Sequence, residues 1–325
     1  MKIRRSLVPR KRIDDQGRGH GFVSGRIQLD RPLGAVLRRR LADRSAARPL
    51  AFARVVVWAA GVFTLFSVCY FTVMAARGVA GAARWERDDE RAEMMGYVLG
   101  RSMDRPDLDV HRVVQVMGGV HGVPRHHFVP ATEQVRAYGG PELPIGRGRT
   151  TPDSYIVALM AELAVPLRTH EVEIGAGSEA RVFTTPTLPV SGHHVLEVGT
   201  GSGYLAAVLS EMVERVYTIE PVEALAERAA ATLGDLGFGN VTVGVGDPLK
   251  GWPEFAPFDS IVVKGPVDPV PQTLIDQLAL GGKLVAPVGP REGPQVLQVL
   301  EKLPDGSVAT TSVLEVRFPP LTSDD

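Results

Sequence analysis

The stretch Val195-Leu196-Glu197-Val198-Gly199-Thr200-Gly201-Ser202-Gly203-Tyr204 decides the fold of this chain. A short apolar run, typical of a buried strand, leads into a glycine-rich loop, and a helical pattern starts at Tyr204. Glycine lets the backbone turn sharply and approach a ligand closely. A dinucleotide-binding loop carries its third glycine at the sixth position of the motif, where Tyr204 stands here. We therefore predict an adenosyl ligand that lacks a pyrophosphate.

Two acidic residues follow the next two predicted strands. Glu220 closes the second strand, and Asp247 comes directly after the third. An acid at the end of the second strand can accept hydrogen bonds from ribose hydroxyls, and Asp247 is placed to bond an adenine amino group. The glycine loop alone is compatible with an ordinary tight turn. The loop and both acids in this order predict a cofactor site.

After about residue 150, strand and helix patterns alternate along the chain. We predict strands at 195–198, 216–219, 241–245, 260–263 and 283–288, with helices at 155–167, 204–212, 221–236 and 271–278. This alternation predicts a parallel sheet with helices on both faces. Strand patterns at 295–303 and 310–318 flank a turn and predict a terminal hairpin. The fold class is α/β: a doubly wound, mostly parallel Rossmann-like sheet with a C-terminal antiparallel hairpin.

Composition and charge narrow the class of protein. The 325 residues carry a net charge of −1 and a mean hydropathy of +0.04, which excludes a disordered or collagen-like chain. Cys69 is the single cysteine, so an internal disulfide and a cysteine-rich zinc site are excluded. Residues 1–54 hold 15 basic and 4 acidic side chains, a balance of +11 that leaves −12 for the remainder. A basic arm on an acidic body predicts contact with a membrane or a nucleic acid.

The segment 55–76 favours the membrane over nucleic acid. It contains 22 uncharged residues, and Arg54 and Arg77 bracket it. A helix of this length spans about 33 Å, enough for a hydrocarbon core of about 30 Å. A buried core helix and a cleaved signal peptide are the alternatives. We predict a transmembrane helix and a single-pass protein of the inner or plasma membrane, with the arm on the cytoplasmic side.

Two segments outside the glycine loop carry a more specific resemblance. They are Val123-Pro124-Arg125-His126-His127-Phe128-Val129-Pro130 and Leu143-Pro144-Ile145-Gly146. With Gly251-Trp252-Pro253 and Val316-Arg317-Phe318, in unbroken order, they resemble protein-L-isoaspartate O-methyltransferase. The resemblance covers residues 120–160 and 195–322. The glycine loop by itself marks only the wider superfamily, the class I S-adenosylmethionine-dependent methyltransferases.

The resemblance implies repair of damaged protein by a divergent, membrane-anchored member of the family. S-adenosyl-L-methionine would methylate the free carboxylate of L-isoaspartyl residues, and the ester would collapse to a succinimide. The partners would be damaged proteins or peptides, with a monomeric catalytic domain. That cofactor is made in the cytoplasm, whereas positive-inside reasoning places the domain on the other side, so the side stays open. The implied cofactor-binding residues are Glu197, Gly199, Thr200, Gly201, Ser202, Gly203, Glu220, Gly246, Asp247 and Thr322.

The sequence departs from the family where the acceptor should bind. The family continues the Leu-Pro-Ile-Gly segment as Gly-x-Gly-Gln-Thr-Ile-Ser-x-Pro-Tyr, and a hydroxyl of that loop faces the carboxylate. Here Arg149 replaces Gln, and Pro152 stands at the Ser position. Proline has no hydroxyl and no N–H with which to bond a carboxylate. Asp153 adds a negative charge, and Lys264 stands where the family has Val-Thr-Ala-Ala.

Two interpretations of this loop follow. In the first, Arg149 and Lys264 bind the carboxylate, as an arginine fork suits, and Thr150 or Thr151 supplies the hydroxyl. In the second, only cofactor binding survives. The chain is then a methyltransferase-like protein with another carboxylate substrate, or a non-catalytic, membrane-tethered binding protein. The candidate catalytic residues are the four of the first interpretation: Arg149, Thr150, Thr151 and Lys264. We predict no metal site, because nothing is spaced to join His126 and His127.

The domain organisation follows from these segments. We predict a basic, flexible arm at 1–54, the span at 55–76, a linker and helical cap at 77–150, and the S-adenosylmethionine-binding domain at 151–325. An insertion near 168–192 shows strand-like alternation on both sides of a glycine-rich turn, which indicates a β-hairpin. It would be a lid, a partner surface or a simple excursion of the chain.

Overall fold

The computed structural model describes residues 10–13, 19–22, 86–106, 109–174 and 181–321. They belong to two compact units, residues 1–64 and 65–325. In the first unit, β1 (Arg10–Ile13) pairs antiparallel with β2 (Gly19–Phe22). The sequence analysis does not anticipate this hairpin, because strands of four residues are too short to show a clear pattern.

The predicted single-pass membrane localisation is corrected. Within the described residues, no helix is both long enough and apolar enough to cross a membrane. The segment 55–76, on which the prediction rested, lies outside those residues, as does most of 1–54. The prediction was wrong because an uncharged run of sufficient length is also compatible with an apolar segment that packs on protein.

In the second unit, the described residues start with helices that lie before the sheet in the chain. Two longer helices contact each other, and both contact a third that follows a short hairpin. In chain order these elements are α1 (Asp88–Ser102), α2 (Val110–Gly122), the 3-10 helices Arg125–Phe128 and Ala131–Arg136, β3 (Leu143–Gly146), β4 (Arg149–Thr151) and α3 (Ser154–Ala164).

Arg125 fixes the loops around the β3–β4 hairpin. Its guanidinium is fully buried. It donates hydrogen bonds to the carbonyl oxygens of Ala137 at 3.1 Å, Pro141 at 3.0 Å and Pro152 at 2.9 Å. A buried cation needs such partners, because an unpaired charge in the interior is costly. The side chain therefore ties both ends of the hairpin to the segment before it.

A second hairpin stands in the region of the predicted insertion. β5 (Thr169–Ile174) pairs antiparallel with β6 (Arg181–Pro186). The two strands form a sheet of their own, separate from the main one. The turn between them, residues 175–180, lies outside the described residues.

Seven strands form the main sheet. With the helices between them, they are β7 (Val190–Val198), α4 (Tyr204–Ser210), β8 (Val213–Glu220), α5 (Glu223–Asp235), β9 (Val241–Val245), β10 (Phe258–Val263), α6 (Gln272–Asp276), β11 (Leu278–Val288), β12 (Gln295–Lys302) and β13 (Val308–Val316). Their order in the sheet is β13-β12-β11-β10-β7-β8-β9, with the five from β11 to β9 parallel and β12 and β13 antiparallel at one edge. The mostly parallel α/β sheet is thus confirmed.

Strand β7 lies at the centre of the sheet and begins earlier than predicted. The residues Val195, Leu196 and Val198 are fully buried, which explains the apolar pattern. The first half of the strand is more polar, and His193 is buried there because its ring bonds Ser260 Oγ at 3.0 Å. A hydrophobicity pattern cannot predict the burial of a polar side chain that is stabilised by a hydrogen bond.

The central strand also sets the position of the ligand site. The chain leaves β7 for β8 on one side of the sheet and later returns to β10 on the other. Ligands of open α/β sheets bind outside the carboxyl ends of the strands at such a switch of direction. The glycine loop after Val198 lies at this point.

Candidate functional site

The carboxyl ends of three strands meet at the glycine loop. Val198 of β7 is in register with Ile219 of β8 and with Val263 of β10. The next residues along the two neighbouring strands are Glu220 and Lys264. A cavity of about 340 Å³ opens above this edge, and its volume lies in the range of small-molecule sites.

The loop itself requires glycine at two positions. Gly199 has φ +93° and Gly201 has φ +56°, both in the left-handed region. A β-carbon on Gly199 would lie 2.8 Å from Leu321 Cδ2, too close for a normal contact. The backbone therefore reaches the cavity with no side chain between, as close approach to a cofactor demands.

Glu220 is held rigidly at the rim of the cavity. Its side chain is buried, and its carboxylate accepts a hydrogen bond from Gly201 N–H at 2.7 Å and from Val222 N–H at 3.3 Å. Both contacts pre-orient the carboxylate. An acid in this place fits the hydroxyls of a ribose, so the residues present fit an adenosyl cofactor.

A buried polar network lies beneath the loop. Glu197 is fully buried, and Thr218 Oγ1 donates to its Oε2 at 2.6 Å. Lys264 Nζ lies 2.8 Å from Glu197 Oε1 and donates to the carbonyl oxygen of Thr200 at 2.8 Å. Burial raises the pKa of Glu197, and the charge of Lys264 opposes this rise. Lys264, predicted as a clamp for the acceptor, is thus engaged with the cofactor loop.

The β3–β4 hairpin forms the opposite wall of the cavity. Arg149 Nη1 donates to the carbonyl oxygen of Pro320, and Thr150 Oγ1 donates to Glu142 Oε2 at 3.3 Å. Thr151 is buried, and its hydroxyl has no hydrogen-bond partner among the described residues. A buried hydroxyl without a partner costs free energy.

The two residues after the hairpin have structural contacts. The carbonyl oxygen of Pro152 accepts from Arg125. The carboxylate of Asp153 caps α3, since it accepts from Tyr155 N–H at 2.7 Å, and it also accepts from Tyr97 OH at 2.6 Å. Burial and this hydrogen bond raise the pKa of Tyr97 to about 12. The negative charge of Asp153 is therefore already bound by two donors.

The structure brings most of the predicted site residues to one cavity. Those that line it are Arg149, Thr150, Thr151, Gly199, Gly201, Ser202, Glu220 and Lys264. Glu197 and Thr200 lie fully buried beneath the loop. Gly203 starts α4, where an added β-carbon would lie 3.3 Å from Ala229 Cβ, so its role is close packing against α5.

Two of the remaining three residues stand apart from the cavity lining. Gly246 N–H donates to the carbonyl oxygen of Glu220 at 3.1 Å and so joins β9 to β8. Asp247 is exposed, and its carboxylate accepts from Leu249 N–H at 2.9 Å. Neither belongs to the lining. Thr322 lies outside the described residues.

Sequence reasoning missed the contribution of the segment 314–321. This segment lines the cavity together with the hairpin and the loop. Leu321 packs on two glycines, since a β-carbon on Gly265 would lie 2.3 Å from Leu321 Cγ and one on Gly199 would be almost as close. The available signal was the pair Pro319-Pro320 directly after the last strand, which ends the hairpin and turns the chain back.

His126 and His127 meet a carboxylate that their spacing did not reveal. Glu86 Oε2 lies 3.3 Å from His126 Nε2 and 3.7 Å from His127 Nε2. Burial is the main cause that lowers the pKa of His126, and the nearby charges of His127, Arg87 and Arg91 lower it further. Two guanidinium charges beside the cluster disfavour a metal cation. We therefore assign the cluster to the packing of the chain before α1 against the 3-10 helix.

Comparison with known proteins decides the family. Protein-L-isoaspartate O-methyltransferase 2 of Syntrophobacter fumaroxidans (strain DSM 10017 / MPOB) is 41% identical over 263 residues, which cover 79% of this chain and 96% of the relative. The chain belongs to the protein-L-isoaspartate O-methyltransferase family. The family model described as "Protein-L-isoaspartate(D-aspartate) O-methyltransferase (PCMT)" matches residues 187–325. A second such enzyme, from Polaromonas sp. (strain JS666 / ATCC BAA-500), is 45% identical over 218 residues, covering 67% of this chain and 90% of the relative.

Solved structures of the family share the fold. One protein-L-isoaspartate O-methyltransferase superimposes with a TM-score of 0.55 at 24% identity, and the match covers 71% of this chain and 65% of that one. A putative member from Plasmodium falciparum, in complex with S-adenosyl-L-homocysteine, gives a TM-score of 0.51 at 19% identity, covering 71% and 98%. These likenesses confirm the Rossmann-like methyltransferase fold.

Proposed function

We propose that this chain transfers a methyl group from S-adenosyl-L-methionine to the free carboxylate of L-isoaspartyl residues in damaged proteins. It is an enzyme of the protein-L-isoaspartate O-methyltransferase type, as its family membership shows. One observation carries the proposal for this chain. A single cavity is bounded by the glycine loop and Glu220 on one side and by the strand Arg149–Thr151 on the other.

Methyl transfer in this cavity needs little general acid–base catalysis from the protein. S-adenosyl-L-methionine supplies a methyl group on a sulfonium that is already a good leaving group, and an ionised carboxylate is already a nucleophile. The protein contributes by holding the two reactants in line and by stabilising charge. We assign Glu220 to the ribose hydroxyls, because two backbone N–H groups fix its carboxylate at the rim.

We assign Arg149 to the acceptor carboxylate. Its guanidinium lines the cavity and is held by the carbonyl oxygen of Pro320. A guanidinium presents five N–H donors in a fixed fork, a geometry that suits a carboxylate. The contact to Pro320 also limits the rotamers of Arg149 and so pre-orients the charge.

We assign the hydroxyl of the acceptor site to Thr151. Thr150 Oγ1 already bonds Glu142 in an exposed position. Thr151 Oγ1 is buried at the cavity and lacks a partner within the described part of the chain. A hydrogen bond to the substrate carboxylate would remove that cost. Thr151 thus supplies the hydroxyl one position before Pro152, which supports a rewired acceptor loop in a divergent member of the family.

We also propose a structural role for each segment of the chain. Residues 77–150 act as linker and helical cap and supply part of the acceptor wall, while 151–325 form the cofactor domain. The insertion near 168–192 is an excursion in the form of its β5–β6 hairpin. That the catalytic domain is monomeric stays a prediction.

Methyl transfer by the purified full-length chain tests the proposed function. Labelled S-adenosyl-L-methionine is offered with two matched peptides, one with an isoaspartyl residue and one with a normal aspartyl residue. We expect base-labile label in the isoaspartyl peptide alone. Cofactor binding without transfer would instead favour a different carboxylate substrate or a non-catalytic binding protein. Absence of cofactor binding would overturn the proposal.

A further inference from the structure

Four side chains form a closed polar circuit under the glycine loop. Lys264 contacts both Glu197 and the carbonyl oxygen of Thr200, Glu197 accepts from Thr218, and Thr218 Oγ1 lies 2.7 Å from Thr200 Oγ1. The circuit is shielded from water, since Glu197, Thr200 and Thr218 are fully buried and the Lys264 side chain is 8% exposed. It connects the ends of β7, β8 and β10.

Hydrogen-bond chemistry fixes the direction of this circuit. An ionised carboxylate only accepts, so the hydroxyl hydrogen of Thr218 points to Glu197. Thr200 must then donate its own hydroxyl hydrogen to Thr218 Oγ1. Thr200 is consequently held at two places, by its hydroxyl and by its carbonyl oxygen. It is the residue between the two glycines that face the cavity, so holding it fixes the loop.

The circuit also sets the charge below the cavity. Lys264 belongs to the lining, and its Nζ would lie 3.7 Å from a β-carbon placed on Gly201. An uncompensated lysine there would repel a cationic ligand. Glu197, at 2.8 Å, neutralises the lysine from below. A buried pair of this kind is weak evidence for added stability, since desolvation offsets the attraction, so positioning and charge balance are the better account.

We propose that Glu197 and Lys264 form a neutral pair that positions Thr200 in the glycine loop and allows a cationic cofactor to bind above a lysine. The inference rests on the proposed function in one respect, that the cofactor is S-adenosyl-L-methionine. Lys264 is then a positioning residue and does not bind the acceptor. Neither group touches the substrate, and both act through the loop.

The decisive experiment compares two ligands that differ by one charge. S-adenosylmethionine carries a sulfonium, whereas S-adenosylhomocysteine has a neutral thioether. Glu197→Gln keeps the shape of the side chain and leaves Lys264 uncompensated. We expect calorimetry to show a loss of affinity for S-adenosylmethionine that exceeds the loss for S-adenosylhomocysteine by about tenfold. Glu227→Gln, the same charge change at an exposed site on α5, should leave that ratio unchanged.

The variant of the lysine separates positioning from charge. Lys264→Met removes both contacts to the loop and the positive charge. Without the lysine, burial favours the protonated, neutral form of Glu197, so the affinities for both ligands should fall by a similar factor. The double variant Glu197→Gln, Lys264→Met should restore the wild-type ratio between the two ligands, because the charge imbalance is gone. If Glu197→Gln fails to fold while the double variant folds, that result also supports the pair.

Unfolding of the ligand-free protein gives a readout that is independent of activity. The charged groups that face Glu197 are Lys264, which favours its ionised form, and Glu220, which opposes it. Burial already raises the pKa of Glu197, and removal of Lys264 should raise it further. The native state of the variant then keeps its proton up to a higher pH than wild type does, so Lys264→Met should lose stability relative to wild type as pH rises above the pKa of Glu197 in the folded wild-type protein.

Three results would overturn the inference. They are an equal loss of affinity for both ligands in Glu197→Gln, unchanged affinities in Lys264→Met, and a pH profile of unfolding that Lys264→Met leaves unaltered. A wild-type chain that binds neither ligand would refute the proposed function instead, so the two failures are distinguishable.

Discussion

The two ends of the cavity are built in different ways. The cofactor end consists of backbone from Gly199 to Gly203 and of groups at the ends of adjacent parallel strands, such as Glu220. The acceptor end consists of side chains on the short β3–β4 hairpin, outside the main sheet. Arg149 is held there by Pro320, which is 171 residues away in the chain.

This difference in construction indicates which part of the site tolerates substitution. Strand register places Glu220 and Lys264 beside the glycine loop regardless of their chemistry, and the sheet cannot change this without unfolding. The hairpin has no such constraint. Replacement of Ser by Pro152 can be offset by Thr151 one position earlier, because loops tolerate substitutions that a buried sheet does not.

The largest effect is expected at the cofactor end, from Glu220→Ala. Loss of a charged acceptor for ligand hydroxyls and for Gly201 N–H should weaken S-adenosylhomocysteine binding by at least about 100-fold, or about 3 kcal/mol. Calorimetry measures this. Glu227 is an exposed residue of α5, so the control variant Glu227→Ala should leave the affinity within twofold of wild type, about 0.4 kcal/mol. An unchanged affinity for Glu220→Ala would remove the ribose assignment.

At the acceptor end of the cavity, a smaller effect is expected from Arg149→Gln. It restores the residue that the family carries but removes the fork for the carboxylate. We expect the KM for the isoaspartyl peptide to rise about 30-fold, or about 2 kcal/mol, with unchanged cofactor affinity. Steady-state kinetics with both ligands varied separates the two. A rise in the cofactor Kd alone would place Arg149 with the cofactor.

The hydroxyl assignment is sharpened by a matched pair on β4. Thr151→Val keeps the shape and removes the buried hydroxyl, so kcat/KM for the peptide should fall about tenfold, or about 1.4 kcal/mol. Thr150→Val removes a hydroxyl that bonds an exposed Glu142 and should change kcat/KM less than twofold, about 0.4 kcal/mol. The reverse order of the two effects would assign the hydroxyl to Thr150.

The smallest effect concerns stability and is expected from Asp153→Ala. Loss of the cap of α3 should lower the free energy of unfolding by about 1 kcal/mol, and Tm by about 2–4 °C. The pKa of Tyr97, about 12, should fall because the hydrogen-bond acceptor of its hydroxyl is gone. Calorimetric melting and ultraviolet titration measure the two. A pKa of Tyr97 that stays near 12 would show that burial alone sets it.

Much of the cofactor end was predictable from the sequence. The apolar run Val195–Val198 followed by glycines has one plausible structure, a buried strand that turns into a helix. Glu220 follows at the end of the next strand, and parallel strands align their carboxyl ends. Asp247 follows a strand at the edge of the sheet and is not among the residues that line the cavity, so its assignment to the adenine amino group stays a prediction. The wrong membrane localisation came from the length of an apolar run, its lack of charge and the arginines that flank it.

The α/β sheet and the glycine loop were predictable from the order of the residues, because periodic burial and backbone freedom are local properties of consecutive residues. The family followed from the resemblance of its motifs. The folded structure was needed to show that Lys264 pairs with Glu197, that Arg149 bonds Pro320 and that Leu321 packs on Gly199. Each of these contacts joins residues that are far apart in the chain. Their partners depend on strand register and on the path of the last segment, which no local pattern encodes.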